Sequence, residues 1–333
     1  GYGTDNGLDW TSTIAIIPWN IYMFYGDNKL LADCYENIKR YVDYVDRTSP
    51  TGLTSWGRGD WVPVKSHSSK ELTSSVYFYV DTKILADAAK MFNKTEDYEY
   101  YSALANKIKN AINDKFLNRE TGIYGSGVQT EQSVPLQWGI VPEELKRKVA
   151  RNLAKQVEAA GFHLDVGVLG AKAILNALSE NGEAETAYKL AAQDTYPSWG
   201  CWIANGATTL LENWDLNATR DISDNHMMFG EIGGWFYKGL GGIFPDPENP
   251  GFKHILLRPN FPCGLNEFEA KHQSPYGEIC SKWERKKNRI IYHVTVPANS
   301  IATFYAPDNV KGERVVNLEA GEHVLELLPV HSK

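Results

Sequence analysis

Asn28-Lys-Leu-Leu-Ala-Asp-Cys-Tyr-Glu-Asn-Ile-Lys-Arg-Tyr-Val-Asp-Tyr-Val-Asp-Arg47 sets Leu31, Cys34, Tyr35, Ile38, Tyr41, Val42 and Val45 at steps of three and four residues. That spacing gathers them on one face of a helix of 3.6 residues per turn, and Asp27 stands where an N-cap belongs. Outward from it the same period predicts helices over residues 10–25, 70–92, 96–116 and 129–138. Another runs from Pro142 to near Gly161, a suitable residue to end it. Further helices are predicted over 165–179, 183–193, 206–214 and 224–240. The sum is about ten helices in pairs, with no strand pattern between them. Helical hairpins alternating with Gly-, Pro- and Trp-rich loops predict a mainly α fold, an α/α toroid whose inner ring surrounds a pocket. A complete (α/α)6 ring needs twelve helices, so the toroid is expected to be incomplete at its N-terminus.

The pattern changes at Gly241-Gly-Ile-Phe-Pro-Asp-Pro-Glu-Asn-Pro-Gly251, a Pro/Gly cluster of the kind that separates domains. Beyond it, strand-like segments occupy 254–258, 277–283, 289–296, 301–305 and 323–327. Within 289–296, Ile291, His293 and Thr295 alternate with Tyr292, Val294 and Val296, as in a half-buried strand. The expectation is two domains, an N-terminally truncated toroid over 1–242 and a small antiparallel β-sandwich over 243–333.

Composition removes several function classes. The net charge is −7 and the basic residues form no stripe, which speaks against a nucleic-acid partner. No run of about 18 apolar residues could span a membrane. The four cysteines are scattered without a Cys-x-x-Cys pair, and no His/Asp/Glu set has metal-ligand spacing, so neither a metal nor a disulfide framework is expected. No cofactor motif is present either, there being no Gly-rich phosphate loop. The first residues carry no leader pattern, and compartment and oligomeric state are left open. What stands out is the aromatic content, 10 Trp and 18 Tyr. Their flat faces and polar edges suit sugar rings as well as cores.

Three clusters could carry chemistry. In Pro197-Ser-Trp-Gly-Cys-Trp-Ile-Ala-Asn-Gly-Ala-Thr-Thr-Leu-Leu-Glu-Asn-Trp-Asp215 an aromatic loop leads into the helix predicted over 206–214. Thr208, Leu211, Glu212 and Asp215 would then share one face. A carboxylate beside Trp214 could serve as a general base, but the spacing alone fits a surface Glu212 over core tryptophans better. Trp56-Gly-Arg-Gly-Asp-Trp61 reads as a rim loop able to stack a sugar and bind its hydroxyls, or as a tight turn with Arg58 paired to Asp60. Glu71 could face the same pocket, although an exposed first-turn carboxylate is more usual. In Asp221-Ile-Ser-Asp-Asn-His-Met-Met-Phe-Gly230, His226 could donate to a substrate hydroxyl or simply cap a helix.

Together these stretches resemble glycoside hydrolase family 78, the α-L-rhamnosidases. The resemblance runs in order through Ile17-Pro18-Trp19, Tyr25-Gly-Asp-Asn-Lys-Leu-Leu, Gly59-Asp60-Trp61 and Lys70-Glu71-Leu72. It continues through Phe162-His-Leu-Asp-Val-Gly-Val-Leu-Gly170, Pro197-Ser-Trp-Gly200, Gly206-Ala-Thr-Thr…Glu212-Asn-Trp-Asp215, Asn225-His226…Phe229-Gly230 and Ser274-Pro275-Tyr276-Gly277. It implies an inverting glycosidase that removes terminal α-L-rhamnose, with an (α/α)6 barrel and a C-terminal β-sandwich. Glu212 then matches the catalytic general base, Trp10 and Trp61 match pocket tryptophans and His226 a substrate-contacting histidine; Asp60 and Trp199, within the matching stretches, are further candidates for substrate binding. Thr11 stands where the family leads one to expect Asp. The family's general acid lies in an Asp-Glu-Arg-Leu-Gly-Trp-type motif upstream, and residues 1–333 contain no such motif. A missing N-terminal segment of the parent chain is thus expected as the site's partner, and the isolated chain is expected to be nearly inactive. Other readings are another inverting (α/α)6 hydrolase acting on glucosides or trehalose-like sugars, and a sugar-binding module without catalysis.

Overall fold

The computed structural model describes residues 6–330, which form two compact units. The first ends its opening segment at Trp19 and resumes over Asn28–Gly230; the second takes Asn20–Asp27 and the described residues from Glu231 onward.

The first unit is helical. Its elements are α1 (Leu8–Thr11), α2 (Thr13–Tyr25, whose end belongs to the second unit), α3 (Lys29–Thr48), α4 (Lys70–Met91) and α5 (Thr95–Phe116). After the short hairpin β1 (Leu117–Asn118) and β2 (Ile123–Tyr124) come α6 (Gln129–Gln137), α7 (Lys146–Ala159), α8 (Val168–Ser179), α9 (Ala184–Ala191) and α10 (Trp199–Ala204). α4 packs on α5, α6 on α7 and α8 on α9, while α4, α6 and α8 also meet in sequence. Burial sorts them into two rings. α3 buries one stripe, Leu31, Tyr35, Ile38, Val42 and Val45, and α7 buries Val149, Ala150, Leu153, Ala154 and Val157. α4, α6 and α8 are buried nearly all round. A one-sided helix faces water, whereas a helix buried on every side is enclosed, and in α6 the enclosed polar residues Gln129, Glu131 and Gln132 are satisfied by hydrogen bonds. The alternation of the two kinds is that of an α/α toroid with α4, α6 and α8 inside.

Two predicted helices are not formed. Residues 206–214 are irregular, because Gly206 adopts φ 88° directly after α10 and the following backbone pairs with a distant segment. Glu212 N–H donates to Ser223 C=O at 2.9 Å and His226 N–H to Leu210 C=O at 2.9 Å. Thr209 Oγ1 donates to Asp224 C=O as well. Thr208, Leu211, Glu212 and Asp215 therefore share no helical face. Residues 224–240 form only a 3-10 turn at Met227–Phe229, α11 (Glu231–Trp235) and a π turn at Phe236–Leu240. The predicted helix at 10–25 is broken at Ser12 into α1 and α2.

The second unit adds β3 (Ile243–Pro245), β4 (His254–Leu257), β5 (Glu267–Ser274), β6 (Gly277–Lys286), β7 (Arg289–Val296), β8 (Ile301–Tyr305), β9 (Val310–Lys311), β10 (Val315–Leu318) and β11 (Gly321–Pro329). They form sheets of order β10-β8-β4-β3 and β5-β6-β7-β11-β9. Residues of both sheets share one core, in which Phe304 and Ile255 meet Tyr292, Trp283 and Val294. The expected sandwich is therefore present, although not wholly antiparallel: β4 runs parallel to β8, His254 opposite Ile301. In β7 the inward set is Ile290, Tyr292, Val294 and Val296, and the basic run 285–289 is the turn from β6 into β7.

Candidate functional site

The segment carrying Glu212 is seated on a block of aromatic rings. Trp202 stacks on Trp214 at 4.8 Å and 18°, Trp199 meets Trp214 edge-on at 5.3 Å, and Phe229 lies 4.2 Å from Trp214. Each indole N–H has an acceptor: Trp199 donates to Phe229 C=O (3.0 Å), Trp202 to Trp214 C=O (3.4 Å) and Trp214 to Val166 C=O (2.8 Å). Ring pairs of this kind contribute about 0.5–1.5 kcal/mol each beyond the area they bury. Trp214 thereby fixes the chain two residues beyond Glu212. Trp199, expected to touch substrate, is 4% exposed within this block and does not line the cavity described below.

Glu212 rises from the block as a partly served carboxylate. Its Oε2 accepts the Ser223 N–H at 3.1 Å, and its side chain keeps 18% of its surface exposed. Its Oε1 lies 3.8 Å from His226 Nε2. His226 Nδ1 accepts the Met228 N–H at 3.2 Å, so the neutral ring carries its proton on Nε2, the edge nearer Glu212.

The opposite side is built from residues 56–61. Asp9, buried at the start of α1, accepts the N–H of Arg58 and of Gly59 at 2.9 Å each, with Thr73 and Ser74 hydroxyls at 3.4 Å. Gly57 must be glycine here, since a Cβ would fall on Ser74 Oγ and the Asp9 carboxylate. Asp60 turns the other way. It accepts from Gly167 N–H (2.8 Å), Leu169 N–H (2.7 Å), Gly170 N–H (3.2 Å) and Thr130 Oγ1 (2.5 Å). It therefore caps α8 as an anion at a helix N-terminus. Burial pushes both carboxyls above the ordinary Asp range, against the opposing pull of these hydrogen bonds. Neither reading of Asp60 from sequence, a hydroxyl-binding rim residue or a partner for Arg58, matches this placement. Trp61 follows, its C=O accepting the Val168 N–H at 2.9 Å and its ring set edge-on to Trp10 at 5.7 Å and 83°. The Arg58 guanidinium lies 5.4 Å above Trp10, and its Nε donates to Asn6 at 3.0 Å.

These two sides enclose a cavity of about 230 Å³, below the ~300–1,000 Å³ of sites for drug-sized ligands and suited to a single pyranose ring. Trp10, Trp61, Glu212 and His226 line it, joined by Asp9, Arg58, Val168, Leu169 and Met228. Four residues singled out from sequence thus meet in one place, while Asp60 lies behind the wall and Trp199 beneath the floor. Glu71 instead pairs with Lys115 at 2.6 Å outside the cavity. Asp9, Val168, Leu169 and Met228 were not singled out individually. Val168 and Leu169 lie in the motif around Phe162–Gly170, but an apolar wall has no sequence signal distinct from core.

A family model described as the bacterial α-L-rhamnosidase six-hairpin glycosidase domain matches residues 2–240, and one described as the bacterial α-L-rhamnosidase C-terminal domain matches 242–321. An α-L-rhamnosidase of Formosa agariphila is 31% identical over 324 residues, covering 92% of this chain and 35% of that protein. Among solved structures, the α-L-rhamnosidase from Dictyoglumus thermophilum superposes with a TM-score of 0.87 at 32% identity, over 96% of this chain and 39% of its own. The Streptomyces avermitilis α-L-rhamnosidase, solved in complex with L-rhamnose, gives 0.83 at 28% identity, over 96% and 32%. The chain thus spans about a third of the length of these relatives.

Proposed function

Given that the chain belongs to the bacterial α-L-rhamnosidase six-hairpin glycosidase family, we propose that its cavity holds a terminal α-L-rhamnosyl unit and that Glu212 is the general base of an inverting hydrolysis. The observation that carries this reading is the convergence of Glu212, His226, Trp10 and Trp61 on one cavity of single-sugar size. With Oε2 held by the Ser223 N–H, Glu212 keeps Oε1 to accept a proton from water attacking the anomeric carbon. His226 presents Nε2–H beside that oxygen and can donate to a sugar hydroxyl or to the water itself. The edge-on pair Trp10 and Trp61 offers apolar surface to the C–H face of the ring.

An inverting site needs a second carboxyl, a proton donor roughly 6.5–9.5 Å from the base. Asp9, the other carboxyl in this cavity, has its oxygens committed to the Arg58 and Gly59 N–H groups and acts as an anchor for their loop. We therefore assign the general acid to a segment outside these 333 residues. That leaves the chain alone a sugar-binding unit with half a catalytic site. Calorimetry with L-rhamnose tests the pocket: Trp61→Ala should abolish or strongly weaken binding, and Glu212→Ala should weaken it. Unchanged heats in both variants would refute the assignment.

A further inference from the structure

Helix α1 carries two residues of the cavity, Asp9 and Trp10, and is pinned to α4 at two points. At its first turn the Asp9 carboxylate meets the Thr73 and Ser74 hydroxyls of α4 at 3.4 Å. Just past its end Ser12, 2% exposed, reaches Asp81, about two turns beyond Ser74 on the same face of α4. The two pins differ in kind. Asp9 is served by the backbone N–H groups of Arg58 and Gly59. Asp81 is fully buried, and its Oδ1 has no hydrogen-bond partner among the described residues. Its Oδ2 lies 2.7 Å from Ser12 Oγ, which also lies 2.7 Å from the Leu8 C=O.

Ser12 thus has one hydroxyl proton and two acceptors to serve. With Asp81 ionised, that proton goes to the carboxylate and leaves the Leu8 C=O only the Ser12 N–H (3.0 Å), or stays on Leu8 and leaves a buried charge without a donor. With Asp81 as the neutral acid, both contacts close. Its Oδ2–H donates to Ser12 Oγ, and the Ser12 O–H donates to the Leu8 C=O. The bare Oδ1 is then a carbonyl oxygen, whose burial costs far less than that of a charged one. Nothing around it favours the charge. Tyr41 of α3 and Tyr77 of α4 are held above the ordinary tyrosine range by burial, with Asp9 and Asp81 adding to the effect. Helices α5 and α6, which also pack on α4, set no charge against Asp81.

We propose that Asp81 is a positioning residue of the cavity: as a neutral acid it closes the chain Asp81–Ser12–Leu8 that fixes α1, and with it Trp10 and Asp9, and on ionising it loosens them. Ser12 is the break between α1 and α2, so a change there reaches Asp9 and Trp10 within one turn. A bound sugar favours the closed chain, and affinity falls as Asp81 loses its proton. Burial pushes Asp81 up to about 8, so binding is intact below about pH 7 and declines as pH rises through 8. The inference rests on the rhamnoside reading above for the ligand that reports on this wall.

If only the neutral form binds well, calorimetry should show L-rhamnose binding the 333-residue chain about tenfold more weakly at pH 9 than at pH 7. Asp81→Asn keeps the closed pattern at every pH, its amide N–H replacing the acid O–H toward Ser12 Oγ. It should match the parent's affinity at pH 7 and hold it at pH 9. Ser12→Ala cuts the chain and should bind more weakly at pH 7, with little further loss at pH 9. Melting temperatures, set against the parent chain's, show that each variant is folded, and either one decides if the other is not. A parallel loss from pH 7 to pH 9 in the parent and in Asp81→Asn would overturn this inference and leave the rhamnoside reading standing. So would a Ser12→Ala profile that matches the parent's, or a parent affinity equal at the two pH values. Absence of binding by the parent at both pH values would overturn the rhamnoside reading itself, and this inference with it.

Discussion

Glu212 lines the cavity and Asp60 lies behind its opposite wall, and the donors around them set them apart. Asp60 is wrapped by three backbone N–H groups and a threonine hydroxyl, with no oxygen left to offer. Glu212 receives one backbone N–H and turns its other oxygen toward His226. A carboxylate whose acceptor sites are filled by fixed donors has become part of the framework, since any new partner would have to displace one of them. A carboxylate with an idle oxygen on a cavity retains the capacity to take a proton.

The sharpest way to break this contrast is to neutralise each group without changing its shape or surroundings more than necessary. On the proposed function, and in a longer chain that also supplies the general acid, Glu212→Gln should lower kcat on an aryl α-L-rhamnoside by about 10²–10⁴-fold, the usual worth of a general base. Its folding stability should move by no more than about 1 kcal/mol, since the amide keeps an oxygen to accept the Ser223 N–H. Full activity in the glutamine variant would remove Glu212 from the chemistry. Asp60→Ala should do the reverse, costing about 3–5 kcal/mol of stability because several buried donors lose their acceptor together. Denaturant unfolding monitored by tryptophan fluorescence reads this directly. A variant as stable as the parent would show that Asp60 does not hold α8.

Trp214→Phe addresses the seat of Glu212 rather than its chemistry. It removes the bond to Val166 C=O and part of the stack on Trp202, and should cost about 1–2 kcal/mol. The accompanying loss of activity should be smaller than that of Glu212→Gln. If activity is lost as fully as in Glu212→Gln while stability is retained, Trp214 must instead contact substrate.

The same contrast marks the limit of what the sequence could say. Helices α3 and α5 were legible because their one-sided periodicity is local and long. The 206–214 segment misled, since its four-residue spacing imitates a helix while its true partners, Ser223 to His226, lie a loop away. Strand β5 escaped notice for the opposite reason: Glu267, Glu269 and Lys271 on an edge strand protect it from aggregation and hide its pattern. At the site, Gly59-Asp60-Trp61 was correctly singled out as a unit, yet which of its side chains faces the cavity depends on α8, more than 100 residues away. Trp199 was drawn in by the motif that carries Glu212, although its ring serves the core. Pairings distant in sequence, rather than residue types, decided the 206–214 segment and Asp60.

A third carboxyl tests whether donors or burial matter more. Asp81, fully buried on α4, receives one hydrogen bond on Oδ2 from Ser12 Oγ (2.7 Å), and its Oδ1 has no hydrogen-bond partner. Burial with so little compensation pushes its pKa up to about 8. The folded state therefore holds a proton that the unfolded chain, near the ordinary Asp value of about 3.9, has released. Stability tied to this group is complete below about pH 4 and is lost as pH rises toward 8, because the native form then binds more protons than the unfolded one. Asp9 and Asp60 are displaced in the same direction, so the parent's pH profile alone is not diagnostic. Asp81→Asn isolates the term: in denaturant unfolding the variant should gain stability relative to the parent as pH rises from 5 to 8, by an amount on the order of a few kcal/mol. A stability difference between variant and parent that is the same at both pH values would show that Asp81 takes up no proton on folding, and that burial with a single donor does not set its charge.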